Sequence, residues 1–260
     1  MAKQFTDQMN QTIRLEEIPC RIVSLVPFQT ELLCDLGLDE KVIGITKFCI
    51  HPAHWFKSKT RVGGTKQLNI DTIRALKPDL IIGNKEENTK EDIESLKEIS
   101  PVWMSDISTL EKAYEMINQI GALTNSTMES NEIVSAIKLE FTKIVHTVSS
   151  KSVLYFIWKN PYFVAGTNTF IDSMIRELGF ENFCQEERYP ELKDSSDKQP
   201  NYIFLSSEPY PFKVDDILEI ELKYPMSKVV IVDGEMFSWY GSRLKYAPSY
   251  FNELIQQLTY

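Results

Sequence analysis

The sequence predicts an α/β protein of two lobes, each with a mainly parallel sheet flanked by helices, joined by one long backbone helix. Three observations predict this. Short apolar runs rich in β-branched residues alternate with amphipathic segments of helical period through the first half, which is the pattern of βαβ units in a parallel sheet. The alternation breaks once, at a stretch without Pro or Gly from Ser126 to Ser149. It then resumes to the C-terminus. The implied boundaries are an N-terminal lobe at 1–122, a linking helix at 123–150 and a C-terminal lobe at 151–260.

In chain order, "RIVSLV" (Arg21 to Val26) reads as a first buried strand. "TELLCDLGL" has helical spacing and stops at Gly37, a C-cap residue. "KVIGITKF" reads as the next strand. In "NIDTIRALKPDLIIGN", Asn69 caps a helix with apolar positions Ile70, Ile73, Ala75 and Leu76; Pro78 ends it, and "DLIIG" follows as a strand. "KEDIESLKEI" is an amphipathic helix and "PVWMSD" a strand. Ser126 and Glu129 stand in capping-box spacing. Ile133, Ile137, Phe141, Ile144, Val145 and Val148 follow helical period behind them, which suggests a helix of roughly 22 residues. The second lobe reads as strands in "KSVLYFIW", "PYFVAG", "NYIFLSSE" and "KVVIVDG", with helices in "FIDSMIRELG" and "APSYFNELIQQL".

Composition narrows the function. With 260 residues, 43% hydrophobic, the chain can bury a core without disulfides or structural metal. A net charge of -9 without a basic run argues against nucleic acid as partner. No apolar run reaches membrane-spanning length. "MAKQFTDQMNQTIRLEE" lacks the apolar core of a signal peptide, so a cytoplasmic location is expected, or a periplasmic or cell-surface one if a signal has been removed. Cys20, Cys34, Cys49 and Cys184 show no paired spacing and are expected to be buried, reduced thiols.

In open parallel sheets ligands bind beyond the carboxyl ends of the strands. The segments there are "PFQTE" (Pro27 to Glu31), "FCIHPAHW", "NKEEN" (Asn84 to Asn88), "WMSD", "WKNPY", "SSEPYPF" and "DGEMFSWYGSR", with "ERYPE" joining them. They are rich in aromatics for loops, which suits a large, flat, partly apolar ligand. About half of these rings are expected to pack under their own loops, Phe48 first among them. Cys49, His51 and His54 allow three readings: a protein metal site for zinc or a similar ion, a ligand-contacting loop in which His51 coordinates the ligand's own metal, or plain loop packing. Glu31, Glu86 or Glu87 would complete the metal site. Glu86 and Glu87 read as a hydrolase pair or as acids favoured at a helix N-terminus. Arg243 binds a ligand carboxylate or phosphate, or pairs with Glu235. "GGT" at Gly63 to Thr65 is too short for a phosphate loop, and no Ser–His–Asp arrangement is legible.

"FTDQMNQTIRL", "RIVSLVPFQTELLCDLGLDEKVIGIT" and "GGTKQLNIDTIRALKPDLIIG" together resemble the class III periplasmic-binding-protein family. These are the helical-backbone receptors for cobalamin, ferric siderophores and haem that serve ABC transporters. "LKPDLII" after an amphipathic helix is the most specific piece, and the small-polar "P…TE" turn looks nearest the cobalamin-binding branch. The resemblance is weaker through "VLYFIWKNPYFVAGTNTFIDSMIRELGFENF".

The resemblance implies a non-enzymatic binding protein that holds a corrinoid, haem-like or siderophore ligand in an interlobe cleft. Ligand contacts are then expected from Pro27, Phe28, Gln29, Thr30, Cys49, His51, Glu86, Glu87, Asn88, Trp158, Lys159, Tyr189, Glu235, Phe237, Trp239, Tyr240 and Arg243. Trp158, Trp239 and Tyr240 would stack on the ligand, while Lys159 and Arg243 meet its polar groups. Any metal would be cobalt or iron carried by the ligand, with zinc at Cys49 and His51 as the protein-bound alternative; no resident cofactor is expected. The partner would be an ABC-transporter permease, met through an acidic residue near Glu91, and the chain is expected to be a monomer. The alternative is a cytosolic enzyme or metal-handling protein that reuses the fold, with Cys49, His51 and the acidic loops as its site.

Overall fold

The computed structural model describes residues 2–146, 151–193 and 198–259. The chain divides into two units. One comprises Met1–Ile107, Lys112–Ile137 and Gly241–Arg243; the other comprises Ser108–Glu111, Lys138–Tyr240 and Leu244–Tyr260.

The first unit opens with an antiparallel hairpin, β1 (Lys3–Thr6) and β2 (Thr12–Leu15). Its turn is held by Asp7, whose Oδ1 accepts from the backbone N–H groups of Met9 and Gln11 at 2.9 and 2.7 Å. The main sheet follows: β3 (Ile22–Ser24), α1 (Pro27–Asp35), β4 (Val42–Ile45), α2 (Ala53–Ser58), β5 (Thr60–Arg61), the two-stranded β6 (Gly63–Gly64) and β7 (Gln67–Leu68), α3 (Ile70–Leu76), β8 (Leu80–Asn84), α4 (Lys90–Lys97) and β9 (Val102–Ser105). The strand order is β5-β4-β3-β8-β9, and every pairing is parallel. The chain therefore winds outward in both directions from β3, so the α1 start after β3 and the loop after β8 lie side by side at the switch point.

Local chemistry explains the boundaries. The Asn69 side chain accepts from Thr72 N–H at 2.9 Å and starts α3. Lys77, in the left-handed region at φ 48°, ends it. Asp79 then accepts from the backbone N–H groups of Cys20 and Arg21, both at 2.9 Å, which aligns the entries of β3 and β8. The "LIIGN" strand is buried at every position, as a central parallel strand should be.

The expected long helix is corrected. Two helices of 15 residues each, α5 (Leu110–Thr124) and α6 (Thr127–Phe141), stand in this region. Periodicity continues past Phe141, but the backbone does not follow it. Asn252 Oδ1 accepts from Val145 N–H at 2.8 Å while its Nδ2 donates to the Lys143 carbonyl at 3.0 Å. One side chain thus supplies the hydrogen bonds that further helical turns would have made. Residues 147–150 of the expected helix lie outside the described residues.

The second unit contains β10 (Ser152–Trp158), β11 (Phe163–Val164), α7 (Phe170–Glu177), β12 (Glu181–Asn182), β13 (Tyr202–Ser206), α8 (Val214–Lys223), β14 (Lys228–Val232), α9 (Gly234–Ser238), a 3-10 turn at Ser242–Tyr246 and α10 (Ala247–Thr259). The sheet runs β11-β10-β13-β14, with β12 also paired to β10. The pairings of β10, β13 and β14 are parallel, and β11 is antiparallel. One face packs Leu154, Phe156, Ile203, Leu205, Phe212 and Ile220 together. The other carries an aromatic core in which Phe237 lies 5.1 Å from Tyr155 and 4.9 Å from Phe251. No described helix is long and apolar enough to cross a membrane.

The four cysteines are free, but the expectation of buried thiols holds only for Cys49. Cys20 is exposed beside Asp79, with its Sγ 3.2 Å from the carboxylate, while Cys34 and Cys184 are half-buried.

Candidate functional site

Each unit presents its own cluster at the carboxyl ends of its parallel strands. In the first unit, "PFQTE" is the opening turn of α1 and not a loop, with Pro27 at the first helical position. This fixes the next three residues inward. Gln29 is fully buried, and its Nε2 donates to Ser105 Oγ at 2.8 Å and the Gly83 carbonyl at 3.3 Å. Thr30 Oγ1 lies 2.8 Å from Ser24 Oγ, 2.9 Å from the Val26 carbonyl and 3.1 Å from Cys49 Sγ. Phe28 is buried. Phe28, Gln29 and Thr30 are therefore corrected from ligand contacts to residues that tie the strand ends together; Pro27 stays half-exposed.

The loop after β4 sorts its residues differently from expectation. Cys49 is fully buried, with its sulfur 3.1 Å from both Thr30 Oγ1 and Thr46 Oγ1. Burial pushes its thiol pKa up. That sulfur faces away from solvent, so the zinc pairing of Cys49 with His51 is corrected. Among the described residues, the group of three possible ligands within reach of one ion is Cys34, Asp39 and His54. His51 is half-buried. Phe48, expected to pack inward, is instead 51% exposed with Lys47 Nζ 5.1 Å from its ring centre.

The "NKEEN" loop is built by its two asparagines. Asn84 Oδ1 accepts from the Glu86 and Glu87 N–H groups at 2.9 and 3.1 Å. Asn88 Oδ1 accepts from Asn84 N–H at 2.9 Å, and Asn88 Nδ2 donates to the Thr65 carbonyl at 3.0 Å. Asn88 is thus a structural clasp and not a ligand contact. The two glutamates precede α4, which Thr89 caps, so the helix-dipole reading applies to Glu91 and Asp92 instead. Burial pushes the Glu87 carboxyl up, against the pull of Lys66 and with the push of Glu86. A desolvated carboxyl at a strand end is a mark of a functional position.

Glu87→Gln is expected to stabilise the protein by roughly 1 kcal/mol at neutral pH. The raised pKa means that the charged form is the costly one. The gain is therefore full at high pH and disappears as pH falls below the unfolded carboxyl's range. Urea midpoints of both proteins between pH 4 and pH 8, spanning the carboxyl range, check this. A pH-independent difference contradicts it.

The structure gives Arg243 a partner that neither reading named. Its guanidinium forks onto Glu31 of α1, with Nε and Nη2 each 2.8 Å from a carboxylate oxygen.

In the second unit, Trp158 ends β10 and is 42% exposed. Its ring stands edge-on to Tyr210 at 5.7 Å, and Tyr210 packs on Phe212 at 4.8 Å. This gives an aromatic ledge with a supported base and an open face. Lys159 next to it is occupied: its ammonium lies 2.6 Å from Asp216 and 2.7 Å from Glu219 of α8. Its two carboxylate partners raise the Lys159 pKa. At Asp216 burial works upward, but the Lys159 ammonium and the Lys213 N–H outweigh it and hold the carboxyl low. Lys159 is corrected from a ligand contact to the anchor of α8.

Phe237 is a core ring, Trp239 is buried with its indole N–H donating to Glu208 at 2.8 Å, and Tyr240 is buried against Phe170 at 5.0 Å. Phe237, expected as a ligand contact, and Trp239 and Tyr240, expected to stack on the ligand, are corrected to packing. The cause is α9, a helix not expected from the sequence, which turns this loop inward. Glu235 and Tyr189 remain half-buried. Tyr189 sits in a segment that runs beside β11, held by bridges from Thr167 to Glu187 and from Phe163 to Glu191. Tyr210 is one of the strand-end aromatics, and nothing in "SSEPYPF" distinguishes a supporting ring from a buried one.

A cavity of about 410 Å³ lies elsewhere, between β2 and residues Lys97 to Val102, at the entry end of β9. It shares no residue with the strand-end cluster.

The two sheets carry aromatic and acidic residues at the carboxyl ends of their strands, where open α/β sheets bind ligands. The chain belongs to the periplasmic binding protein family, whose model matches residues 22–209. It is 25% identical over 253 residues to the vitamin B12-binding protein of Pectobacterium carotovorum subsp. carotovorum (strain PC1), covering 93% of this chain and 89% of that protein. It is 26% identical over 192 residues to YvrC, an uncharacterised ABC transporter substrate-binding lipoprotein of Bacillus subtilis (strain 168). That match covers 70% of this chain but only 60% of the lipoprotein's length. The fold superposes on the periplasmic haem-binding protein RhuT from Roseiflexus sp. RS-1 with a TM-score of 0.78 at 20% identity, over 92% of this chain and 97% of that one.

The expectation of a cytoplasmic location is thereby corrected. The family is periplasmic, and the matched relatives include a substrate-binding lipoprotein, which points outside the cytoplasm.

Proposed function

We propose that this chain is the substrate-binding component of an ABC importer, and that its cargo is a metal-chelate or tetrapyrrole-like ligand: vitamin B12, haem or a ferric siderophore. The observation that carries the reading is the near full-length match to a vitamin B12-binding protein, which makes a corrinoid the first probe. The relatives are binding proteins and not enzymes. The metal in this reading, cobalt or iron, belongs to the cargo.

The strand ends support it chemically. The second unit offers the open face of Trp158, and Tyr189 and Glu235 of the same unit are half-buried. The first offers exposed Phe48, half-buried His51 and the Glu86–Glu87 loop. A flat macrocycle gains from ring faces, and an imidazole and carboxyls suit its amide or metal groups. Glu91, exposed in the first turn of α4, is the proposed acidic contact for a permease.

The test is an equilibrium titration with cyanocobalamin, haemin and a ferric siderophore, repeated on Trp158→Ala. One of the three is expected to bind with Kd below about 10 μM, and Trp158→Ala to weaken it at least tenfold, about 1.4 kcal/mol. If all three bind more weakly than about 100 μM, roughly -5.5 kcal/mol, the reading fails.

A further inference from the structure

We propose that Cys34, Asp39 and His54 form a binding site for a borderline divalent metal ion such as zinc, on the first unit and independent of the cargo reading. The thiolate, carboxylate and imidazole come from the end of α1, the segment after it, and α2. Their ligand atoms all lie within 4.8 Å of one another.

The three ligand atoms are within reach of one ion, with small side-chain adjustments bringing them to zinc spacing. Tetrahedral zinc with bonds of about 2.0–2.3 Å holds its ligand atoms about 3.3–3.8 Å apart. His54 Nε2 and Asp39 Oδ1 are joined by a hydrogen bond of 3.2 Å, a contact that a shared metal ion would replace. The carboxylate is fixed by Trp55, whose Nε1 donates to Asp39 Oδ1 at 2.6 Å, the same oxygen that His54 meets. This is the outer-shell support that ligating carboxylates usually have. Lys59, the nearby cation, donates to the Asp39 backbone carbonyl and lies over the Trp55 ring, so it does not occupy the carboxylate. His54 is largely exposed and Asp39 half-exposed, which leaves an entry path. Thiolate, imidazole and carboxylate together select zinc or a similar ion over calcium or magnesium.

Three protein ligands leave the fourth position to water. On binding, the metal–sulfur bond replaces the S–H bond of Cys34 and one proton leaves to the buffer. No oxidation or reduction is involved.

The test is calorimetric titration of the metal-stripped full chain with zinc chloride in a non-chelating buffer. One zinc per chain is expected, with Kd below about 10 μM and proton release visible as a dependence on buffer ionisation enthalpy. Cobalt(II) is expected to give a near-ultraviolet thiolate charge-transfer band. Cys34→Ser should abolish the band, and Cys34→Ser and His54→Gln should each weaken zinc at least tenfold, with far-ultraviolet circular dichroism unchanged. His51→Gln should leave zinc affinity as it was. The proposal is overturned by no saturable binding up to about 1 mM, by a cobalt complex without the thiolate band, or by zinc binding that neither variant weakens. His54 is surface-exposed, so the His54→Gln arm stays informative even if Cys34→Ser folds poorly.

Discussion

Gly166→Ala is expected to lower the melting temperature by about 10 °C, a loss of about 3 kcal/mol. A Cβ at Gly166 would sit 2.0 Å from the Glu186 carbonyl oxygen and 3.0 Å from its carbon. Both are backbone atoms, and both are held: Gly166 N–H donates to the Arg188 carbonyl and Thr167 N–H to the Glu186 carbonyl, each at 2.8 Å. Relief requires moving the whole 186–188 segment, which breaks those bonds and displaces Tyr189. Gly37→Ala is the control. Gly37 has φ +74° and nothing within 4 Å of the added Cβ, so it carries only the left-handed backbone cost of about 1 kcal/mol. Scanning calorimetry of the two variants decides the matter. If Gly166→Ala costs no more than Gly37→Ala, the segment is not clamped as described.

Breaking the Arg243–Glu31 fork is expected to have the second largest effect. Arg243→Ala should cost about 2–3 kcal/mol, because it strands a carboxylate that is only 16% exposed. This is below the ~3–5 kcal/mol typical of fully buried pairs, since some solvent reaches both groups. The paired replacement Glu31→Leu with Arg243→Met should cost less than the sum of the single changes, with a coupling of about 1–2 kcal/mol. Additive urea-denaturation energies would show that the fork contributes nothing beyond its packing. The same pair explains why Arg243 could not be assigned from sequence. Its partner lies 212 positions away, and only the fold brings them together.

Other features were legible because their cause is local. Asn69 capping α3, Gly37 ending α1, and the apolar run that becomes β8 followed from residues within one turn or one strand. The parallel sheets followed from the alternation of such elements. What escaped had non-local or weak local causes. The β1–β2 hairpin has mostly exposed strands and no glycine at its turn; Asp7 closes it instead. The end of α6 is set by Asn252, more than 100 positions on. At the site, position relative to the strand ends was readable, but orientation was not. Cys49 and Phe48 are neighbours with opposite fates, one buried and one open. Trp158 and Trp239 looked equivalent as loop aromatics, yet the unanticipated α9 turns only the second inward.

The central claim is that cargo meets the protein at the strand-end aromatic ledge formed by Trp158. The most direct test is the indole N–H spectrum of the ¹⁵N-labelled protein, whose four tryptophans give four resolvable signals, assigned by single Trp→Phe variants. Diamagnetic probes of the three cargo classes, cyanocobalamin, zinc protoporphyrin and a gallium-loaded siderophore, would be added in turn. The account predicts that at least one probe shifts the Trp158 signal saturably while those of buried Trp55 and Trp103 stay in place. Saturation without movement of Trp158, or no response to any of the three, would contradict it.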